Sequence, residues 1–147
     1  MLSILIPTWN NLPYLRLCVD SLRRHSVEPH EILVHVNDGG DGTLQWVRQQ
    51  GLAHTQTSGN VGVCLALNQL AARASGEWLL FLNDDMVCTP GWDTALAAAA
   101  RSSGPRPLFL SSMLVEPTVA RNDLVRFANF GTDPSSFDEA GLLAFAA

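Results

Sequence analysis

The chain has 147 residues, 47% of them hydrophobic, and a net charge of −5 at neutral pH. This length is typical of a single domain, and the apolar content is enough for a core, which excludes a mainly disordered chain. The negative charge argues against nonspecific binding to nucleic acid. All nine basic residues are arginines, and the absence of lysine excludes P-loop and Schiff-base chemistry. We therefore expect one domain over residues 1–147 that binds no nucleic acid.

The first half of the chain alternates between strand and helix patterns. The apolar, β-branched run Ser3 to Ile6 predicts a buried strand that stops at Pro7. Apolar residues at three- and four-residue steps then predict a helix that starts around residues 10–13, where Asn is a suitable cap, and ends near residues 23–25. The patterns that follow predict a buried strand over 31–36, a helix over 44–50 and a short strand over 53–57.

The second half continues the alternation and then loses it. It predicts a helix over 63–74 closed by Gly76, a very apolar strand over 77–82, a helix over about 92–101, a strand within 105–114 and a helical stretch over 141–147. The last stretch has no stop signal, so we expect the chain to be a portion of a longer protein. The apolar start is too short to span a membrane. The alternation predicts a Rossmann-like α/β sandwich of three layers around a mainly parallel sheet.

Three polar clusters follow predicted strands, at residues 7–10, 37–39 and 83–85. Because ligands bind at the carboxyl ends of strands in open parallel sheets, the three clusters together predict a binding site. Each cluster alone is equally typical of an ordinary turn. Of the four tryptophans, only Trp9 lies in such a cluster, and we predict that it stacks on a sugar or base.

Asp84 and Asp85 are adjacent carboxylates that directly follow an apolar strand. Two like charges about 4 Å apart repel by roughly 4 kcal/mol at an effective dielectric constant of about 20. The pair is tolerated if one carboxylate faces water, if one is protonated, or if a divalent cation lies between them. Mg²⁺ and Mn²⁺ use one or two carboxylates together with the phosphates of a substrate. A cation site and a solvated turn therefore remain as the two interpretations.

Four further residues are candidates for the site, and the first three of them have two interpretations each. Asp38 either accepts a hydrogen bond from a base or ribose, or forms an Asx turn before Gly39 and Gly40. Asn60 and Gly62 either allow the backbone to approach a ligand or shape a strand-to-helix turn. Asn68 lies inside an apolar helix, where we expect a buried amide that needs partners.

Taken together, these segments resemble glycosyltransferase family 2, the nucleotide-sugar transferases with the GT-A fold. Residues 3–10 are similar to the family's first strand and donor loop, and residues 36–43 are similar to its "VDDGSTDGT" stretch, one residue shorter and with Asn37 in place of the first Asp. Residues 60–68 resemble the "NxG…N" segment, and residues 74–85 resemble the segment that leads into the DXD-type metal motif. The match covers about residues 2–100, which we interpret as the donor-binding part.

The resemblance implies a role for each matching residue. Pro7 and Thr8 would line the nucleotide base, and Asp38 would hydrogen-bond it. Asp84 would face the ribose or sugar, and Asp85 would bind the Mn²⁺ or Mg²⁺ that bridges the diphosphate. The donor implied is a UDP- or dTDP-linked sugar. The complete donor-binding set is Pro7, Thr8, Trp9, Asn10, Asp38, Gly39, Asn60, Gly62, Asn68 and Asp84, with Asp84 and Asp85 as metal ligands.

Residues 101–147 are interpreted as a partial acceptor-side region. An inverting transferase needs a general base for the acceptor hydroxyl, and residues 137–139 are similar to the family's "FDE" segment, which makes Asp138 the candidate. The alternative is an acidic first turn of the last helix. A flavodoxin-like receiver is excluded, since it needs a lysine on a late strand.

The resemblance thus implies inverting transfer of a hexose to a saccharide or lipid-linked acceptor. The alternative function is a non-catalytic or truncated nucleotide-sugar-binding module. We expect a cytoplasmic location, with peripheral attachment to the inner membrane as the alternative.

Overall fold

The computed structural model describes residues 1–104, 108–118 and 123–147. The chain forms two compact units: Met1–Arg24 with Glu28–Val87, and His25–Val27 with Cys88–Ala147. The interpretation of residues 1–147 as one domain, with a donor-binding part over 2–100 and an acceptor-side region over 101–147, concerns function and stays a prediction.

The first unit contains a four-stranded sheet of order β3-β2-β1-β4 in which all neighbouring strands are parallel. This parallel sheet confirms the predicted α/β class. In chain order the elements are β1 (Leu2–Trp9), α1 (Leu12–His25), β2 (His30–Asn37), α2 (Thr43–Gln49), β3 (Ala53–Thr57), α3 (Gly62–Ala71) and β4 (Trp78–Phe81).

The core of this unit lies on both faces of the sheet. Leu5 and Leu33, which are neighbours across β1 and β2, pack with Leu70 of α3 on one face. Side chains alternate between faces along a strand, so Ile4 and Val34 point to the opposite face, where both are fully buried. The strand order makes the β1–α1–β2 and β2–α2–β3 crossovers run in the direction opposite to β3–α3–β4, so right-handed connections place α1 and α2 on that face. Burial on both faces explains why β1 and β2 are continuous apolar runs.

The predicted end of the first strand at Pro7 is wrong, because β1 continues through Pro7 to Trp9. The carbonyl of Leu5 accepts the Leu82 N–H across the β1–β4 edge, and residues two apart in a strand face the same neighbour. The nitrogen of Pro7 therefore faces β4 at a level where that strand has already ended at Phe81. A proline that lacks an N–H costs nothing at such an edge position.

The predicted closure of α3 at Gly76 is also wrong, because the helix ends at Ala71. Gly76 instead lies against β1: its N–H donates to Ser3 Oγ at 2.8 Å, and a β-carbon there would lie 2.6 Å from the same oxygen. The Glu31 carboxylate accepts from Ser3 Oγ at 2.6 Å and from the Ser75 N–H at 2.6 Å, and these bonds lower its pKa. Gly76 is therefore required for close approach of the backbone.

The second unit contains α4 (Trp92–Ser102), β5 (Leu114–Glu116), β6 (Val125–Phe127) and α5 (Glu139–Ala146), with β5 and β6 paired in parallel. The strand predicted within 105–114 is corrected: residues 108–113 are not a strand, and residues 105–107 lie outside the described part. Strand β6 was not predicted, because three residues are too few for an alternating pattern. No helix in the described ranges is long and apolar enough to cross a membrane.

Candidate functional site

A cleft of about 350 Å³ opens where β1, β2 and β4 end and α3 begins. This is the carboxyl edge of the parallel sheet, where the alternation of strands and helices predicts a site. The cleft is lined by Pro7, Thr8, Trp9, Asn11, Asn37, Asn60, Gly62, Val63, Asn83, Asp84 and Asp85.

The cleft brings together most of the predicted donor-binding and metal residues. Those that line it are Pro7, Thr8, Trp9, Asn60, Gly62, Asp84 and Asp85. The predicted residues that do not line it are Asn10, Asp38, Gly39, Asn68 and Asp138. Four lining residues are not among the residues predicted from the sequence: Asn11, Asn37, Asn83 and Val63. Both Asn37 and Asn83 lie in the predicted polar clusters, so the signal was present, whereas nothing marked the apolar Val63.

Asp84 is the part-buried carboxylate of the cleft. Burial raises its pKa, the Thr8 hydroxyl and the Asn11 amide lower it, and the charge of Asp85 raises it; the net pKa is above the ordinary value. Thr8 Oγ1 is itself buried and has no hydrogen bond of standard geometry to any residue that the structure describes. Asp85 is exposed. The cleft therefore holds a carboxylate whose ionisation is opposed by its surroundings.

Asn37 is buried at the base of the cleft and joins three segments. Its Nδ2 donates to the Thr8 carbonyl at 3.2 Å, and its Oδ1 accepts from the Val61 N–H at 2.9 Å and from Thr57 Oγ1 at 3.3 Å. Thr57 Oγ1 also lies 3.2 Å from Nε2 of the buried His35. The amide thus ties the ends of β1 and β3 to the start of α3.

The loops after β1 and β2 are hydrogen-bonded to each other. Asn10 Nδ2 donates to Asp38 Oδ2 at 3.0 Å, and the Gly39 N–H donates to Asn10 Oδ1 at 3.1 Å. Asp41 accepts from the Leu12 N–H at 2.9 Å and from the Thr43 N–H at 3.0 Å. One carboxylate therefore satisfies N–H groups at the starts of both α1 and α2, a role that we had predicted for asparagine at the start of α1.

The structure tests the predicted burial of Asn68, whereas the stacking of Trp9 stays a prediction. Asn68 is exposed on α3, so the prediction that its amide is buried and needs partners is wrong. The side of α3 that faces the sheet is instead formed by Leu67, Leu70 and Ala71. Trp9 lines the cleft with 57% of its surface exposed. An exposed aromatic ring at a cleft is available for stacking.

Asp138, in the second unit, is the N-cap of α5. Its Oδ1 accepts the Gly141 N–H at 2.9 Å. Asp138 therefore lies at the start of the last helix, as the alternative interpretation predicts. Its Oδ2 makes no hydrogen bond to any residue that the structure describes.

The residues of the cleft fit a divalent cation. The described ranges contain no group of three or more His, Cys, Asp or Glu that could hold a metal, so Asp84 and Asp85 would supply one or two ligands only. Mg²⁺-type sites often have this composition, with phosphate oxygens and water as the other ligands. A cation would also favour the ionised form of Asp84, which burial and Asp85 oppose.

The profile of the family described as "Glycosyl transferase family 2" matches residues 3–127. The chain belongs to glycosyl transferase family 2. Two curated relatives of this family-2 chain illustrate the match. The uncharacterized glycosyltransferase YwdF of Bacillus subtilis (strain 168) is 31% identical over 93 residues, which are 61% of this chain and 34% of the relative. A PGL/p-HBAD biosynthesis glycosyltransferase of Mycobacterium bovis (strain BCG / Pasteur 1173P2) is 33% identical over 92 residues, 58% of this chain and 35% of the relative.

Solved structures share the fold of the family-2 chain. S. aureus TarS 1-349 has a TM-score of 0.70 at 23% identity, covering 83% of this chain and 38% of TarS. The mannosyltransferase PcManGT from Pyrobaculum calidifontis, solved in complex with GDP-Man and Mn²⁺, has a TM-score of 0.63 at 25% identity, covering 79% of this chain and 36% of PcManGT. The chain spans about a third of the length of the curated relatives it matches.

Proposed function

We propose that the cleft binds a nucleotide-diphosphate sugar together with Mn²⁺ or Mg²⁺, and that the chain serves the transfer of a hexose to an acceptor hydroxyl. The observation that carries this proposal is the part-buried Asp84 beside Asp85 at the carboxyl edge of the sheet. With water alone in the cleft, the ionised form of Asp84 is disfavoured, whereas a cation bound together with a diphosphate would stabilise that form. Family membership and the Mn²⁺ complex of PcManGT support the same assignment.

In this proposal the base lies between the strand ends. Pro7 and Thr8 line its site, Asp38 accepts a hydrogen bond from it, and Trp9 offers a stacking surface. Gly62, with a φ of 77°, lets the backbone at the start of α3 approach the donor. Gly39, Asn60 and Asn68 complete the proposed donor-binding set.

The cation would be held by Asp84 and Asp85 and would stabilise the departing nucleoside diphosphate as a Lewis acid. Asp38 and the cleft walls orient the donor. The proposed general base, Asp138, takes the proton of the acceptor hydroxyl, whose oxygen attacks the anomeric carbon while the nucleoside diphosphate leaves with the bonding electrons. Attack from the face opposite the leaving group inverts the configuration. The proposed acceptor is a saccharide or a lipid-linked sugar, and the proposed location is cytoplasmic or peripheral to the inner membrane.

A second candidate function is a nucleotide-sugar-binding module without turnover. One observation favours it: the Asp138 carboxylate already caps α5 through the Gly141 N–H.

Isothermal titration calorimetry tests the donor site. UDP, dTDP and GDP are titrated into the chain with Mn²⁺, with Mg²⁺ or with EDTA. We expect binding of at least one nucleotide that requires the cation and is lost in Asp85→Ala, while Gln45→Ala, an exposed change on α2, keeps it. Equal affinity in EDTA would exclude the cation.

A release assay separates the two functions. Nucleoside diphosphate is measured after incubation with nucleotide sugars and a panel of saccharide and lipid-linked acceptors. Acceptor-dependent release that Asp138→Asn abolishes supports transfer, and binding without release supports the binding module.

A further inference from the structure

The first residues beyond two neighbouring strands share an unusual backbone conformation. Trp9 and Asn37 are the last paired positions of β1 and β2. The residues that follow them, Asn10 and Asp38, have φ angles of 47° and 64°. Left-handed backbone is uncommon outside glycine, although Asn and Asp are among the residues that adopt it. Two such residues at the same level of adjacent strands indicate that their surroundings hold them there.

The side chain of Asn10 uses both ends of its amide to hold the second loop. Nδ2 donates to Asp38 Oδ2 at 3.0 Å, and Oδ1 accepts the Gly39 N–H at 3.1 Å. We call these two bonds the Asn10–Asp38 clasp. The Asp38 N–H donates to the Thr57 carbonyl at 2.9 Å, so the backbone of Asp38 is anchored as well. Its Oδ1 makes no hydrogen bond to any described residue and remains available as an acceptor.

The clasp lies beside the cleft and not in it. Asn10 and Asp38 are absent from the cleft lining, whereas their chain neighbours Trp9, Asn11 and Asn37 form part of it. The clasp therefore joins the two segments that carry these lining residues. Holding such segments in the bound geometry before binding reduces the entropy lost when a ligand binds.

We infer that Asn10 is a positioning residue: it orients the Asp38 carboxylate and sets the spacing of the two strand-end loops for the nucleotide base, without touching the donor itself. This inference rests on the proposed donor site and replaces a direct donor contact of Asn10 by an indirect one. In this arrangement Asp38 Oδ2 accepts the hydrogen bond from Asn10, and Asp38 Oδ1 is the oxygen that would accept a hydrogen bond from the base.

A comparison of Asn10→Gly with Asn10→Ala tests the inference. Glycine adopts the left-handed backbone without strain but lacks the amide, whereas alanine lacks the amide and is also strained. We expect both variants to lose about tenfold or more in nucleotide affinity, a loss equivalent to about 1.4 kcal/mol. Because its backbone is strained, Asn10→Ala should also have a melting temperature about 3–5 °C below that of Asn10→Gly. A purely conformational role predicts instead that Asn10→Gly binds like the wild type.

A double-mutant cycle provides the second readout. Asp38→Ala and Asn10→Gly should each weaken nucleotide binding, and their combination should cost little more than Asp38→Ala alone, because Asn10 acts through Asp38. Additive losses, or wild-type affinity in Asn10→Gly, would overturn the inference while the donor site stands. A wild-type chain that binds none of the nucleotides with either cation would overturn the donor site and the inference together. Gln45→Ala serves as the matched amide-removing control and should bind like the wild type.

Discussion

Replacing Asn37 with alanine is expected to destabilise the first unit more than any single exposed polar substitution. Asn37 is buried, with 3% of its surface exposed. The substitution removes one bond donated to the Thr8 carbonyl and one accepted from the Val61 N–H. It also removes the longer contact, at 3.3 Å, with Thr57 Oγ1, whose single hydrogen is shared with the Gly59 carbonyl.

The magnitude follows from these bonds. A typical intramolecular hydrogen bond contributes about 0.5–1.5 kcal/mol, and burial without a partner costs more. Val61 is 36% exposed, so water can replace the acceptor of its N–H, whereas Thr8 is buried and water cannot reach its carbonyl as easily. Thr57 keeps its bond to the Gly59 carbonyl at 2.8 Å. We therefore expect a loss of about 2–4 kcal/mol in the free energy of unfolding, a large part of the roughly 5–15 kcal/mol of a typical domain.

Urea denaturation followed by circular dichroism at pH 7 measures this loss. Gln45→Ala removes an exposed amide from α2 and should change the free energy of unfolding by no more than about 0.5 kcal/mol. A loss below about 1 kcal/mol for Asn37→Ala would refute the reasoning, because it would mean that the lost bonds are replaced by water or by relaxation of the loops.

Three further predictions concern other parts of the first unit. The hydrogen bonds to Glu31 hold its pKa below the ordinary value of 4.5. Glu31→Gln should therefore lower the free energy of unfolding by about 1–2 kcal/mol at pH 7, and this difference from the wild type should disappear as the pH falls through the folded-state pKa of Glu31. A difference that persists at pH 2–3 in urea denaturation would contradict this. Asp84→Asn removes a part-buried charge that Asp85 repels. It should raise the melting temperature and abolish cation-dependent nucleotide binding. Asp85→Asn, at an exposed position, should change the melting temperature little. Gly76→Ala places a β-carbon 2.6 Å from Ser3 Oγ and should destabilise by about 1–3 kcal/mol; unchanged stability in thermal denaturation would show that β1 can move away.

The elements of the first unit were predictable because their patterns are local. The continuous apolar runs mark strands buried on both faces, and three- and four-residue steps mark the helices. The errors have tertiary causes. Pro7 remains within β1 because β4 ends before its level, and α3 stops at Ala71 because the chain must bring Gly76 against Ser3. Both depend on where a neighbouring strand lies, which no local pattern contains.

The candidate site divides in the same way. Polar clusters after strands located the site, since the carboxyl ends of parallel strands meet at one edge of the sheet. The pattern did not distinguish Asn37, whose amide is buried under the cleft, from Asp38, whose carboxylate is held beside it by Asn10. Consecutive residues leave a strand end in different directions, and the left-handed φ of Asp38 decides where its side chain goes.

By itself, the amino-acid sequence determined the parallel α/β architecture and the edge at which polar side chains collect, because hydrophobic periodicity and turn residues act over a few positions. Only the tertiary structure decided which of those side chains face the cleft, which join one loop to another and which, like Asn68, are exposed. Those assignments depend on strand register and on contacts between residues about 20 to 75 positions apart, such as Asn10 with Asp38 and Ser3 with Gly76.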